Sequence, residues 1–176
     1  MQSDLISYIS RLELMAFFAG YPLVYALLYF IAGDRPEKRS SFMKKMIVLL
    51  PFAYALAGTL YIGLVLKDMY PDYSIKSAAG QFQGHYLKIW GILSVLFWIP
   101  ALSKKTIFSL LHSLVFFSFL LKDIFLQIIS STGNNIIRND MNIYTISLIL
   151  NTCALIAIAI FYFIISGVRK KILSHS

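Results

Sequence analysis

The sequence is poor in the residues from which most enzymatic and metal sites are built. It has one cysteine, three histidines and eight acidic residues in 176 positions. A single cysteine excludes an intramolecular disulfide, a CxxC redox pair and a cysteine cage for a metal, and we expect Cys153 to be a small packed residue. The HExxH, GxSxG and phosphate-binding glycine motifs are also absent. We therefore predict no catalytic residue, no metal ion and no cofactor.

Charged residues are scarce as well, which argues against a water-soluble domain. They make up 14% of the chain, against about 25% in an average soluble protein. Hydrophobic residues make up 59% and the mean hydropathy is +0.73, so a soluble domain of this size would leave much apolar surface in water. The predicted fold class is all-α, a polytopic transmembrane helical bundle that forms a single domain over residues 1–176.

Five apolar segments are candidates to cross a bilayer, which takes about 20 helical residues. They cover residues 14–32, 46–66, 86–102, 106–129 and 143–168. Gly20 and Pro22 in the first segment predict a kink that faces protein, because lipid cannot replace the backbone hydrogen bond that proline removes. Ala55, Thr59 and Gly63 recur every four residues in the second segment and predict a packing face for another helix.

The basic residues are distributed unevenly between the two ends of these segments. A net charge of +8 would indicate nucleic acid in a soluble protein, but here the lipid bilayer, and not nucleic acid, is the expected partner. One side carries ten Lys and Arg residues: Arg35, Lys38, Arg39, Lys44, Lys45, Lys104, Lys105, Arg169, Lys170 and Lys171. The other side carries five: Arg11, Lys67, Lys76, Lys88 and Arg138. The positive-inside rule then places the N-terminus outside and the C-terminus in the cytoplasm, with Lys88 expected to snorkel outward. The composition suits a bacterial inner (plasma) membrane.

Polar side chains within the segments are the candidates for ligand-binding or pore-lining residues. The fourth segment contains two adjacent charged residues, each of which costs about 2.5–3.5 kcal/mol at the bilayer centre, so we expect this helix to lie at the centre of the bundle. At 1.5 Å per residue, Asp123, Asn151 and Tyr61 fall at a similar depth in the outer half of the membrane. The full candidate set is His112, Lys122, Asp123, Gln127, Asn151, Tyr61 and His85.

Simpler interpretations of the same residues remain open. The fourth segment could end near Leu121, which would place Lys122 and Asp123 at the outer interface. His112 could be a hydrogen-bonded packing residue, and Asn151 could bridge two helices.

Three hypotheses for function follow. The first is a non-enzymatic protein that acts as a pore-forming, effector or immunity, or accessory subunit of a membrane assembly, with a second copy or another membrane subunit as partner. The second is a carrier that transports a small solute or ion through a polar site in the outer half of the bundle. The third is an intramembrane enzyme that uses Asp123, His112 or His85 as acid or base. An enclosed cavity that reaches Asp123 would favour the second or third hypothesis over the first.

Overall fold

The computed structural model describes residues 12–33, 39–71, 73, 86–129 and 135–173, and all regular structure within these ranges is helical. The all-α prediction is therefore confirmed. In chain order the α-helices are α1 (12–18), α2 (Tyr21–Ala32), α3 (Ser41–Asp68), α4 (Tyr86–Leu93), α5 (Pro100–Ser103), α6 (Thr106–Ile129) and α7 (Asn135–Leu173). A 3₁₀ segment, Ser94–Trp98, lies between α4 and α5.

Within the described ranges, three stretches of helix are long and apolar enough to cross a membrane. They are Leu12–Ala32, which comprises α1 and α2, Ser41–Asp68, and Asn142–Arg169. Two further apolar helices, Tyr86–Trp98 and Thr106–Lys122, are shorter.

The third predicted segment is not one continuous helix. After α4 the chain tightens into the 3₁₀ segment, and Ile99 then takes extended backbone angles of φ −73° and ψ 122°. Pro100 explains this break, because the ring of a proline clashes with an α-helical conformation at the preceding residue. Pro100 then occupies the first turn of α5, where its missing N–H costs nothing.

Helix α3, and not the fourth segment, lies at the centre of the bundle. It contacts α2, α4, α5, α6, α7 and the 3₁₀ segment. Small buried residues allow these approaches from several sides, and they are Ala53, Ala55, Ala57 and Gly58. The prediction of a central fourth segment is thus wrong, because small side chains determine closeness of approach here and charged ones do not.

The closest approach to α3 occurs at a glycine outside the predicted packing face. A Cβ on Gly58 would overlap the hydroxyl of Ser94 in the 3₁₀ segment, whereas a Cβ on Gly63 would meet open space. Ala55 is buried, but Thr59 is exposed. The predicted face is therefore only partly buried, and the 3₁₀ segment approaches α3 closely at Gly58.

Aromatic side chains fill the interior between α1, α3 and α6. Phe18, Tyr54, Tyr61 and Phe116 are all inaccessible to solvent. The Phe18 ring lies 4.8 Å from that of Phe116, 5.5 Å from that of Tyr61 and 5.7 Å from that of Tyr54, between ring centroids. Such tilted and offset contacts between rings are favourable beyond the area they bury.

Two residues differ in burial from what the sequence predicts. Lys88 does not snorkel outward, since only 6% of its surface is accessible, because α4 packs tightly onto α1 at Gly91, beside Leu14 and Phe18. Cys153 is exposed and is not a packed core residue, because it lies on a side of α7 that turns away from the other helices.

Candidate functional site

The first helical stretch is interrupted at Ala19 and Gly20. Side chains of α7 form hydrogen bonds with the backbone on either side of this interruption. Gly20 donates its backbone N–H to the hydroxyl of Ser147 at 2.8 Å. Asn151 donates from Nδ2 to the carbonyl of Phe17 at 2.9 Å. Both backbone groups would pair within an uninterrupted helix, so α7 replaces the hydrogen bonds that the interruption removes. The first segment is thus interrupted near Gly20 and Pro22, and side chains of α7 face the interruption.

Position 20 has no room for a side chain larger than that of glycine. Its φ of −80° is open to any residue, but a Cβ there would lie 2.5 Å from backbone atoms of Ser147 and Leu148. Only a residue without a side chain allows α7 this close. We call the four residues Phe17, Gly20, Ser147 and Asn151 the α1–α7 joint.

Two buried polar atoms near this joint have no hydrogen-bond partner among the described residues. They are Oδ1 of Asn151 and the hydroxyl of Tyr61. The Tyr61 ring centroid lies 5.5 Å from that of Phe17, whose carbonyl binds Asn151. Two of the residues predicted for the outer polar layer therefore meet around one residue of α1.

His112 lies in an aromatic cluster that shares Tyr54 with the rings around Phe18. Its Nδ1 is 2.8 Å from the hydroxyl of Tyr54, and its ring stacks on Trp90 with centroids 4.6 Å apart and planes 5° apart. Trp90 also donates its indole N–H to the carbonyl of His112 at 3.1 Å, and Phe97 meets the ring edge-on. Nε2 of His112 is buried without a hydrogen-bond partner among the described residues. The cluster holds the imidazole between a phenol and an indole.

Of the remaining candidates, only Lys122 has a side chain that the structure describes, and it does not join these residues. Lys122 is exposed on α6, as is Thr152 on α7. Asp123 and Gln127 lie within α6, but their side chains fall outside what the structure describes, and so does the whole of His85. No group of three or more His, Cys, Asp or Glu residues that could hold a metal ion occurs among the described residues.

A row of tyrosine hydroxyls on α2 was not among the predicted candidates. Tyr21 shares a hydrogen bond of 2.7 Å with Ser109, and the hydroxyls of Tyr25 and Tyr29 lie 3.4 and 3.3 Å from that of Thr106. The four-residue spacing of these tyrosines, which places them on one helical face, is the sequence signal that could have revealed the row. Their contacts join α2 to α6.

Comparison with protein-family models, with curated proteins and with solved structures finds no match for this chain. The fold and the contacts define a class only: an all-helical protein with three helices that could span a membrane.

Proposed function

We propose that this chain is an integral protein of a bacterial inner membrane that crosses the bilayer five times, with its N-terminus outside. The three long apolar helices and the two shorter ones support five crossings. By standard rises per residue, α4 and the 3₁₀ segment together extend about 22 Å. This is short of the roughly 30 Å hydrocarbon core, so α5 completes the third crossing.

We further propose that the protein is non-enzymatic and acts as a subunit of a membrane assembly. The observation that carries this proposal is the contrast between a filled interior and an uncovered last helix. Aromatic rings occupy the space between α1, α3 and α6, so a polar passage is better formed between subunits than through one. In the most apolar part of helix Asn142–Arg169 only 28% is buried, whereas 56% of the corresponding part of Ser41–Asp68 is buried.

The uncovered surface of α7 is mostly apolar between Ile149 and Val168. Its exposed residues include Ile149, Ile156, Ile160, Phe161, Ile164, Ile165 and Val168. Contact with lipid is sufficient for such an apolar surface. Helices that associate in membranes do so instead through close packing and interhelical hydrogen bonds. Our proposal is that a second copy of this chain packs against the part of α7 around Cys153, where Thr152 also lies exposed.

Cysteine cross-linking tests the assembly directly. Cys153 is the only cysteine and is exposed on α7, so oxidation in native membranes should give a disulfide-linked product of twice the 20.0 kDa chain mass. The C153S variant should give no disulfide-linked product. A cysteine at Leu27, exposed on α2, in the C153S background is the matched control for random collision. If neither cysteine gives a disulfide-linked dimer, or if both give equal amounts of it, self-assembly through α7 is ruled out.

The topology has a test of its own. Reporter fusions after Lys45, Lys105 and Lys171 should all be cytoplasmic. A fusion after Lys171 on the opposite face from the other two would refute the five-crossing arrangement.

A second candidate function is a small-solute or ion carrier, and the unpartnered buried atoms of Tyr61 and Asn151 favour it. If it holds, Asn151→Leu and Asp123→Asn should abolish a proton or sodium flux into vesicles that the unaltered protein supports. Thr152→Val, on the exposed side of the same helix, should leave that flux unchanged. Normal flux in both Asn151→Leu and Asp123→Asn would exclude the carrier.

A further inference from the structure

A groove between the start of α3 and the last third of α7 combines basic and apolar walls. Its volume is about 280 Å³, and it is lined by Ser41, Lys44, Lys45, Val48, Leu49 and Tyr162. The lining thus offers two ammonium groups, two hydroxyl groups and two aliphatic side chains, and no carboxylate. At about 30 Å³ per water molecule in the liquid, the volume suits a phosphate with part of a glycerol group.

The start of α3 concentrates positive charge around this groove. The first turn of the helix contains no acidic residue, although acidic side chains are the usual complement to the positive end of a helix dipole. Lys44 and Lys45 follow within the next residues and add two full charges. Among the described residues that line the groove, no side chain neutralises this field, so an anion is the complementary ligand.

Aromatic contacts join the two helices that line the groove. The rings of Phe42 and Phe163 are stacked, with centroids 5.8 Å apart and planes 7° apart. Nζ of Lys45 lies 5.9 Å from the centroid of the Phe163 ring, within the range of a cation–π contact. These contacts connect α3 to α7 and limit the freedom of Lys45.

We propose that this groove binds the phosphate of an anionic phospholipid. Lys44 and Lys45 hold the phosphate, the hydroxyls of Ser41 and Tyr162 supply hydrogen bonds, and the aliphatic wall receives the start of an acyl chain. The inference rests on the proposed function, because the topology places this end of α3 at the cytoplasmic leaflet. Basic pockets between transmembrane helices on that side are suited to anionic headgroups.

Native mass spectrometry of the full chain in detergent tests the proposal, with phosphatidylglycerol as the anionic probe and phosphatidylcholine as the neutral one. The K44Q/K45Q variant should lose affinity for phosphatidylglycerol by about 10- to 30-fold. K104Q/K105Q is the matched control, because it removes two lysines from the same proposed leaflet, one of which also lies over a phenylalanine ring. It should change the affinity less than about twofold.

A cavity-filling variant separates a site from diffuse attraction. V48W keeps both lysines and alters a residue that is 58% exposed, so it should fold and should still reduce binding of phosphatidylglycerol. Equal losses from both lysine pairs, with no effect of V48W, would overturn the proposal. Displacement of phosphatidylglycerol by inorganic phosphate at equal concentration would also overturn it, since the groove would then bind free phosphate. Reporter fusions that contradict the topology would refute the proposed function, whereas these affinities in detergent are measured independently of it.

Discussion

Asn151 is the residue whose replacement tests the α1–α7 joint most directly. Its side chain is 2% exposed, and its Nδ2 donates to the carbonyls of Phe17 and Ser147. The Ser147 carbonyl also has the backbone N–H four residues on as a helical donor, so only the Phe17 carbonyl loses its partner in Asn151→Leu. An unsatisfied backbone acceptor costs about 1–3 kcal/mol in a protein interior, and interhelical hydrogen bonds in membranes contribute about 0.6–1.7 kcal/mol. We expect Asn151→Leu to lower the free energy of unfolding by about 1–2 kcal/mol.

The measurement is unfolding of the purified protein in mixed micelles by a denaturing detergent. Ser118→Ala is the matched control: this residue of α6 is exposed, and its hydroxyl donates to the carbonyl of Val115 within the same helix. It should change the unfolding free energy by less than about 0.5 kcal/mol. Equal losses in the two variants would refute the idea that Asn151 replaces a missing hydrogen bond of α1.

Two further predictions concern packing and hydrogen bonding in the core. Gly58→Ala should destabilise the protein by about 1–3 kcal/mol, because the new methyl group overlaps the 3₁₀ segment, whereas Gly63→Ala, which meets open space, should be neutral or slightly stabilising in the same unfolding assay. Tyr54→Phe should cost about 1–2 kcal/mol by removing the partner of His112 Nδ1, and Tyr25→Phe, whose hydroxyl contact is 3.4 Å long, should cost less than about 0.5 kcal/mol. Equal effects within either pair would contradict the assigned contacts.

The helical class and the break in the first stretch could be predicted from sequence because each depends on strong local chemistry. Hydropathy over long windows identifies membrane-compatible helices whatever their neighbours are. Pro22 lacks a backbone N–H whatever its neighbours are, and it occupies the first turn of α2. The break before Pro100 was equally open to prediction, since the residue preceding a proline is held out of the α conformation.

The choice of packing face could not be made in the same way. Helix α3 contains several small residues, so more than one stripe could accept a neighbour, and the Gly58 contact depends on where the 3₁₀ segment lies. The burial of Lys88 depends likewise on Gly91 bringing α4 against α1. Such contacts depend on how two helices pack together, and the sequence of one segment does not determine that packing.

The candidate residues divide along the same line. Tyr61 and Asn151 were placed at a common depth by counting residues along helices, and they do meet near Phe17. The depth of a residue in the membrane does not determine how its helix is rotated about its axis. Lys122, for example, is exposed on α6. The pairing of His112 with Tyr54 and Trp90 requires three separate elements to converge, and no local pattern records that convergence.

The separation in sequence across the α1–α7 joint has a consequence for biogenesis. The donors and acceptors that meet there are 127 and 134 residues apart. If the chain spans a membrane as proposed, the first helix enters the bilayer long before the ribosome has made the segment that completes it. A nascent chain therefore carries open backbone groups at Phe17 and Gly20 until Ser147 and Asn151 have been synthesised.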